Sequence, residues 1–158
     1  MKLGDFLKEG QILTGFQSRD KWDALGQLVD LLVTQGRLRP DQRQGIYDAL
    51  VTREKVASTG MEHGVAIPHA SVDGLEEALA VLAIAPDGVP FQSNDGHPAC
   101  ILICLVIPRK AVQLHIRTLA GIARLLQYEE MRDALIRCRS PREALQVIKD
   151  EEKKETGS

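Results

Sequence analysis

The chain has 158 residues, 44% of them hydrophobic, enough for one domain with a real core, since domains usually run to roughly 100–200 residues. Its 20 basic and 22 acidic side chains leave a net charge of -2, which gives no general electrostatic pull toward nucleic acid or an anionic membrane, and 4% aromatics are too sparse for a base-stacking surface. Lys2, Asp5, Lys8 and Glu9 occupy the place of an apolar signal core, and no apolar run reaches the roughly 18 residues of a membrane helix, so a cytoplasmic chain without membrane insertion is expected.

In chain order, Ile12 to Phe16 reads as a short strand. Ser18 or Asp20 then caps a helix on which Trp22, Leu25, Leu28, Val29 and Leu32 recur at helical spacing, with Gly36 as its stop. Pro40 marks the first turn of a second helix, whose stripe of Ile46, Tyr47, Leu50 and Val51 leads to Arg53-Glu54-Lys55. Ser58-Thr59-Gly60 breaks that helix. The next stretch, Gly64-Val65-Ala66-Ile67-Pro68-His69, has the apolar, partly β-branched character of a buried strand. Pro68 fixes its own φ and pushes Ile67 toward an extended conformation, so His69 is expected to leave the sheet at a defined point.

Two buried runs follow, Leu79 to Ala85 and Cys100 to Ile107, bounded by Pro-Asp-Gly and Asn-Asp-Gly turn signals, with Val89-Pro90-Phe91 as a short edge strand between them. Cys100 and Cys104 stand too far apart for a disulfide at about 3.3 Å per strand residue, and the odd cysteine count agrees with small core hydrophobes in a reducing compartment. Val112, Ile116, Leu119, Ala123 and Leu126 then mark one amphipathic helix, and Met131, Leu135 and Cys138 a shorter one. Ser140-Pro141-Arg142-Glu143 is a capping box that opens a last helix holding Leu145 and Ile148. A domain over residues 1–150 and a charged, frayed tail over 151–158 are expected. Strands in the middle with helices before and after predict an α/β fold, a single-domain sandwich with a central mixed β-sheet flanked by helices; the hairpin-length turns make part of the sheet antiparallel.

An imidazole is mostly uncharged and nucleophilic near neutral pH, so His69 can attack a phosphoryl group, act as a base or bind a metal. Metal is the weaker choice. Among His63, His69, His97 and His115 no pair has the close helical spacing of a zinc site, and an extended 63–69 segment holds its ends about 20 Å apart. A Gly-x-x-x-x-Gly-Lys-Ser/Thr loop for ATP is also missing.

Arg53-Glu54, Ser58-Thr59-Gly60, Gly64 to His69, the run ending at Ile107-Pro108, and His115 before a Thr-Leu helix together resemble the enzyme IIA domain of the fructose and mannitol class. That class belongs to the bacterial phosphoenolpyruvate-dependent phosphotransferase system, and its nitrogen-regulatory members are the most similar in pattern. The resemblance spans roughly Phe6 to Asp150. It implies a phosphocarrier, needing no cofactor, whose histidine, here His69, accepts a phosphoryl group from the carrier protein HPr and passes it to a downstream IIB domain or uses it to regulate a protein. The alternative is a non-catalytic regulatory module that docks a partner. The resemblance places Arg53 near the acceptor, where a guanidinium pairs with phosphoryl oxygens, with Ser58 and Thr59 adding donors and His115 supporting the group from the first turns of a helix. Two positions depart from the family pattern: Ala70 stands where glycine is common, and His63 where asparagine or another polar residue is common. His63 is a candidate for tuning His69 electrostatically.

Overall fold

In a computed structural model, which describes residues 2–155, five strands form one mixed sheet. β1 (Ile12–Leu13) lies parallel to β4 (Leu79–Val89), and β4 pairs antiparallel with β5 (Ala99–Pro108). The far side of β5 carries β2 (Val65–Ala66) and β3 (His69–Val72), both parallel to it. The α/β sandwich with a mixed central sheet is therefore the observed architecture.

Alternation along the central strands divides the core. Val81, Ala83, Leu102, Cys104 and Val106 face one layer, formed by α2 (Lys21–Thr34) and α3 (Arg43–Val56). Ala80, Leu82, Ile84, Ile101, Ile103, Leu105 and Ile107 face the other, formed by α1 (Leu3–Phe6), α4 (Val112–Leu125), α5 (Glu129–Ile136) and α6 (Pro141–Glu155). Both faces of the sheet are covered, which is why the strands read as continuous apolar runs.

Asp20 caps α2 by accepting the Asp23 N–H at 2.9 Å, while the Ser18 hydroxyl donates to the Asp23 carboxylate instead. Gly36, at φ +72°, closes the helix: the Arg37 N–H returns to the Leu32 carbonyl at 2.8 Å. Ser140 caps α6 through the Glu143 N–H.

Several expectations need correction. Pro86-Asp87-Gly88 is not a turn that ends a strand. It is an irregularity inside β4, where pairing with β5 shifts between Ile84 and Val89 and Gly88 takes φ +81°; Val89 then pairs with Ala99, while Pro90 and Phe91 lie outside the sheet. The first strand is shorter than expected, because Gly15 turns the chain at φ +63° and Phe16 keeps contact only through its N–H to Ile84. Of the stripe expected on α4, Leu119 and Leu126 pack against the core, joined by Thr118, Ile122 and Leu125, but Ile116 is 59% exposed, and His115 lies against β3.

The chain beyond Asp150 is not a frayed tail as far as Glu155. Helix α6 continues, and Glu152 is buried where its carboxylate accepts the N–H groups of Leu3 at 2.7 Å and Gly4 at 2.9 Å. A carboxylate in that position satisfies two otherwise partnerless donors at the start of α1. Residues 156–158 lie outside the described residues. Replacing Glu152 by Ala is expected to cost roughly 1–3 kcal/mol in denaturant unfolding and to speed amide exchange at Leu3 and Gly4; unchanged exchange there would show that the contact does not hold α1.

Candidate functional site

His69 does not leave the sheet. Pro68 has no N–H for the ladder, which interrupts pairing, but its carbonyl accepts the Leu105 N–H at 2.9 Å and the register with β5 is the same on both sides. His69 therefore opens β3 at the edge of the sheet. Ala70 and Val72 point into the α2/α3 core, and the half-buried His69 and Ser71 point to the opposite face. Ala70 sits in ordinary extended backbone paired with Val106, so alanine meets the demands of that position.

The His69 ring is anchored from behind: its Nδ1 lies 2.8 Å from the Ile67 carbonyl oxygen. A carbonyl can only accept, so Nδ1 carries the proton and Nε2 keeps the lone pair. Above it stands His115 of α4, ring centroid to ring centroid 5.1 Å at an interplanar angle of 78°. His115 Nδ1 is 2.9 Å from the Ser71 hydroxyl, and its Nε2 is buried without a hydrogen-bond partner among the described residues. The backbone N–H of His115 is bonded to the Ala111 carbonyl, so the side chain is what this residue offers to the site. Arg53, at the end of α3, donates from one guanidinium nitrogen to the Ala57 carbonyl at 2.8 Å, and its charge is felt at both imidazoles.

Ser58 and Thr59 come to the site in a different capacity. The Ser58 hydroxyl donates to the Phe91 carbonyl at 2.6 Å and accepts the Gly60 N–H, and the buried Thr59 hydroxyl donates to Glu54 at 2.6 Å. Both hydroxyl hydrogens are thus engaged within the protein. His63 has an exposed ring beside Glu62, at 3.8 Å, and its N–H is held by Asp95 at 2.9 Å. It adopts φ +65°, a left-handed conformation in which asparagine and histidine are both enriched, which explains how histidine fits that position. Among the described residues no three His, Cys, Asp or Glu side chains gather as a metal site.

A buried pair that the sequence reading did not single out supports this arrangement. Lys21 and Glu54 meet at 3.1 Å with side chains 5% and 1% exposed. Glu54 also accepts the Thr59 N–H at 2.9 Å; the Thr59 carbonyl in turn accepts the Ile67 N–H at 3.1 Å. Lys21 packs over the Trp22 and Phe91 rings.

Over residues 5–151 the sequence matches the family model described as phosphoenolpyruvate-dependent sugar phosphotransferase system, EIIA 2. The chain belongs to this family. It is 32% identical over 128 residues to the PTS system fructose-specific EIIA component of Haloferax volcanii, which covers 81% of this chain and 82% of that one. To the Nitrogen regulatory protein of Pseudomonas aeruginosa it is 29% identical over 150 residues, 95% and 96% of the two chains. The PTS system fructose-specific EIIABC component of Bacillus subtilis is 29% identical over 153 residues, and the chain spans 24% of that longer protein. The crystal structure of the nitrogen regulatory protein IIA-Ntr from Neisseria meningitidis superposes with a TM-score of 0.84 at 25% identity, over 92% of this chain and 98% of that one.

In this EIIA domain the electrostatics favour uncharged imidazoles. Burial is the main force pushing the pKa of His69 below the ordinary value; the positive charge of Arg53 pushes the same way, and the Ile67 carbonyl and the Glu54 carboxylate oppose it. The pKa of His115 is also lowered, by burial first, then by His69 and Arg53. Near neutral pH both rings are therefore neutral, and protonation sets in below the usual histidine range. Removing Arg53 takes away one downward influence on both. In Arg53→Gln, both imidazoles should titrate at higher pH than in the unmodified domain when followed by NMR; midpoints that stay or fall would contradict the electrostatic assignment. Glu54→Ala, which strands a buried ammonium and two donors of Thr59, should lower unfolding stability by roughly 3–5 kcal/mol, and a loss under 1 kcal/mol would show that the pair is replaceable.

Proposed function

We propose that this EIIA domain is a phosphocarrier that takes a phosphoryl group onto His69 Nε2 from the phosphohistidine of HPr and passes it to a IIB domain or a regulated protein, in the cytoplasm and without a cofactor. The observation that carries the reading is the Ile67 carbonyl behind His69, which leaves Nε2 as the lone-pair nitrogen. Phosphoryl transfer asks a protein mainly to place its nucleophile and to stabilise the charge on the equatorial oxygens. The Nε2 lone pair forms the new N–P bond as the donor's N–P bond breaks. The donor ring, protonated on its other nitrogen, leaves as neutral imidazole, and the His69 proton stays on Nδ1, hydrogen-bonded to the Ile67 carbonyl oxygen, which stabilises the positive charge of the new phosphoimidazolium. Arg53 and His115 are the groups we assign to the phosphoryl oxygens, Arg53 as a fixed cation and His115 as a neutral donor. Ser58 and Thr59 act through the loop they hold in place.

A regulatory use of the same group has its own support, since the chain aligns with 96% of the Pseudomonas aeruginosa Nitrogen regulatory protein. No helix of the described residues is long and apolar enough to cross a membrane, which fits a carrier that meets its partners in solution.

Incubation with phosphoenolpyruvate, enzyme I and HPr should add one phosphoryl group, lost in acid and kept in alkali, as a phosphoramidate behaves. His69→Ala should abolish the label, and His115→Ala should slow it roughly 100- to 1,000-fold yet let it reach completion. The reading is overturned if no label forms, if the adduct is acid-stable, or if folded His69→Ala still labels while His115→Ala does not.

A further inference from the structure

Ser71 was not among the residues that the sequence brought forward, and the family pattern above assigns it nothing. It lies two positions after His69 on β3, so strand alternation puts both side chains on the face that meets α4. Its hydroxyl is hydrogen-bonded to His115 Nδ1 at 2.9 Å. The other nitrogen of that ring is buried and has no hydrogen-bond partner among the described residues, and the ring stands 5.1 Å from His69, beside the space that a group on His69 Nε2 must enter. A buried polar nitrogen kept without a hydrogen-bond partner is costly, and in a folded domain it points to a ligand atom that arrives later.

We propose that Ser71 is a positioning residue for phosphoryl transfer: its O–H donates to His115 Nδ1, fixes the proton of that ring on Nε2, and so aims an N–H at the phosphoryl oxygens on His69. The assignment rests on the phosphocarrier reading for its purpose, though not for its geometry. The reverse polarity fails chemically. If Nδ1–H donated to Ser71, His115 would turn a lone pair toward an anion, and the ring beside the nucleophile would repel the incoming group. A carbonyl or an amide N–H at the position of Ser71 would permit one role only. A hydroxyl donates to the neutral ring, and by rotating it accepts from Nδ1–H should the ring take up a proton beside the bound anion, so the contact survives either state. The two histidines are thus oriented by one mechanism with opposite sense: an acceptor behind His69 exposes a lone pair, and a donor behind His115 exposes a proton.

Two measurements decide this, one of which needs no phosphoryl donor. Nitrogen-15 NMR of the imidazoles in the unphosphorylated protein should show His115 protonated on Nε2 and bare on Nδ1, and Ser71→Ala should move both His115 signals while those of His69 stay. Proton on Nδ1 in the unmodified protein, or signals unmoved by Ser71→Ala, overturns the proposal even if no labelling is ever seen. With phospho-HPr as donor, Ser71→Ala should slow labelling of His69 about 10-fold or more, Ser71→Thr should restore most of the rate, and Ser71→Ala should add less than about twofold in a His115→Ala background. An equal slowing in that background would show that Ser71 acts on the strand and not through His115. Failure of the unmodified protein to label would count against the phosphocarrier reading alone, and the tautomer would still answer for Ser71.

Discussion

The buried pair of Lys21 and Glu54 is the contact on which the rest of the site depends. It joins α2 to the end of α3, and through Glu54 it fixes the Thr59 loop, whose carbonyl holds Ile67, whose own carbonyl holds the His69 ring. A buried ion pair is a weak source of net stability, because desolvating two charges offsets most of their attraction. Its contribution here is specification: the carboxylate has an ammonium, an amide and a hydroxyl to satisfy, and one arrangement of helix, loop and strand brings all three to it. Gly60 belongs to the same construction. A Cβ there would lie 2.9 Å from the Phe91 carbonyl oxygen, so the loop can approach that backbone only with glycine.

The site divides its electrical tasks among different groups. Burial lowers the pKa of both imidazoles and so favours their neutral form, and the guanidinium of Arg53 is the positive charge that both of them feel. Glu54 opposes that lowering at His69, while its own carboxylate is paired with Lys21.

Local signals made much of this legible in advance. The helical stripes of α2 and α3, the cap at Ser140 and the apolar runs of β4 and β5 are all set by neighbours within a few residues, and the structure has them where the sequence put them. What the sequence hid depends on tertiary partners. Pro86-Asp87-Gly88 carries the same residues whether it ends a strand or bends one, and the pairing of Val89 with Ala99 decides between them. Ile116 looks like a core residue from its spacing, and only the docking of α4 leaves it exposed. Lys21 and Glu54 stand 33 residues apart, and nothing local marks either as buried. Ser71 had a signal that a strand reading could have used, its alternation with His69, but its partner is 44 residues away.

The site stands on the seam between the two helical layers. Arg53 arrives from the layer on one face of the sheet, His115 from the layer on the other, and His69 rides the edge strand between them. In the order of synthesis Arg53 and His69 both precede β5, which holds the His69 strand, and β5 precedes α4. The ring pair of His69 and His115 therefore comes together only when α4 docks on a sheet already paired, late in the life of a nascent chain.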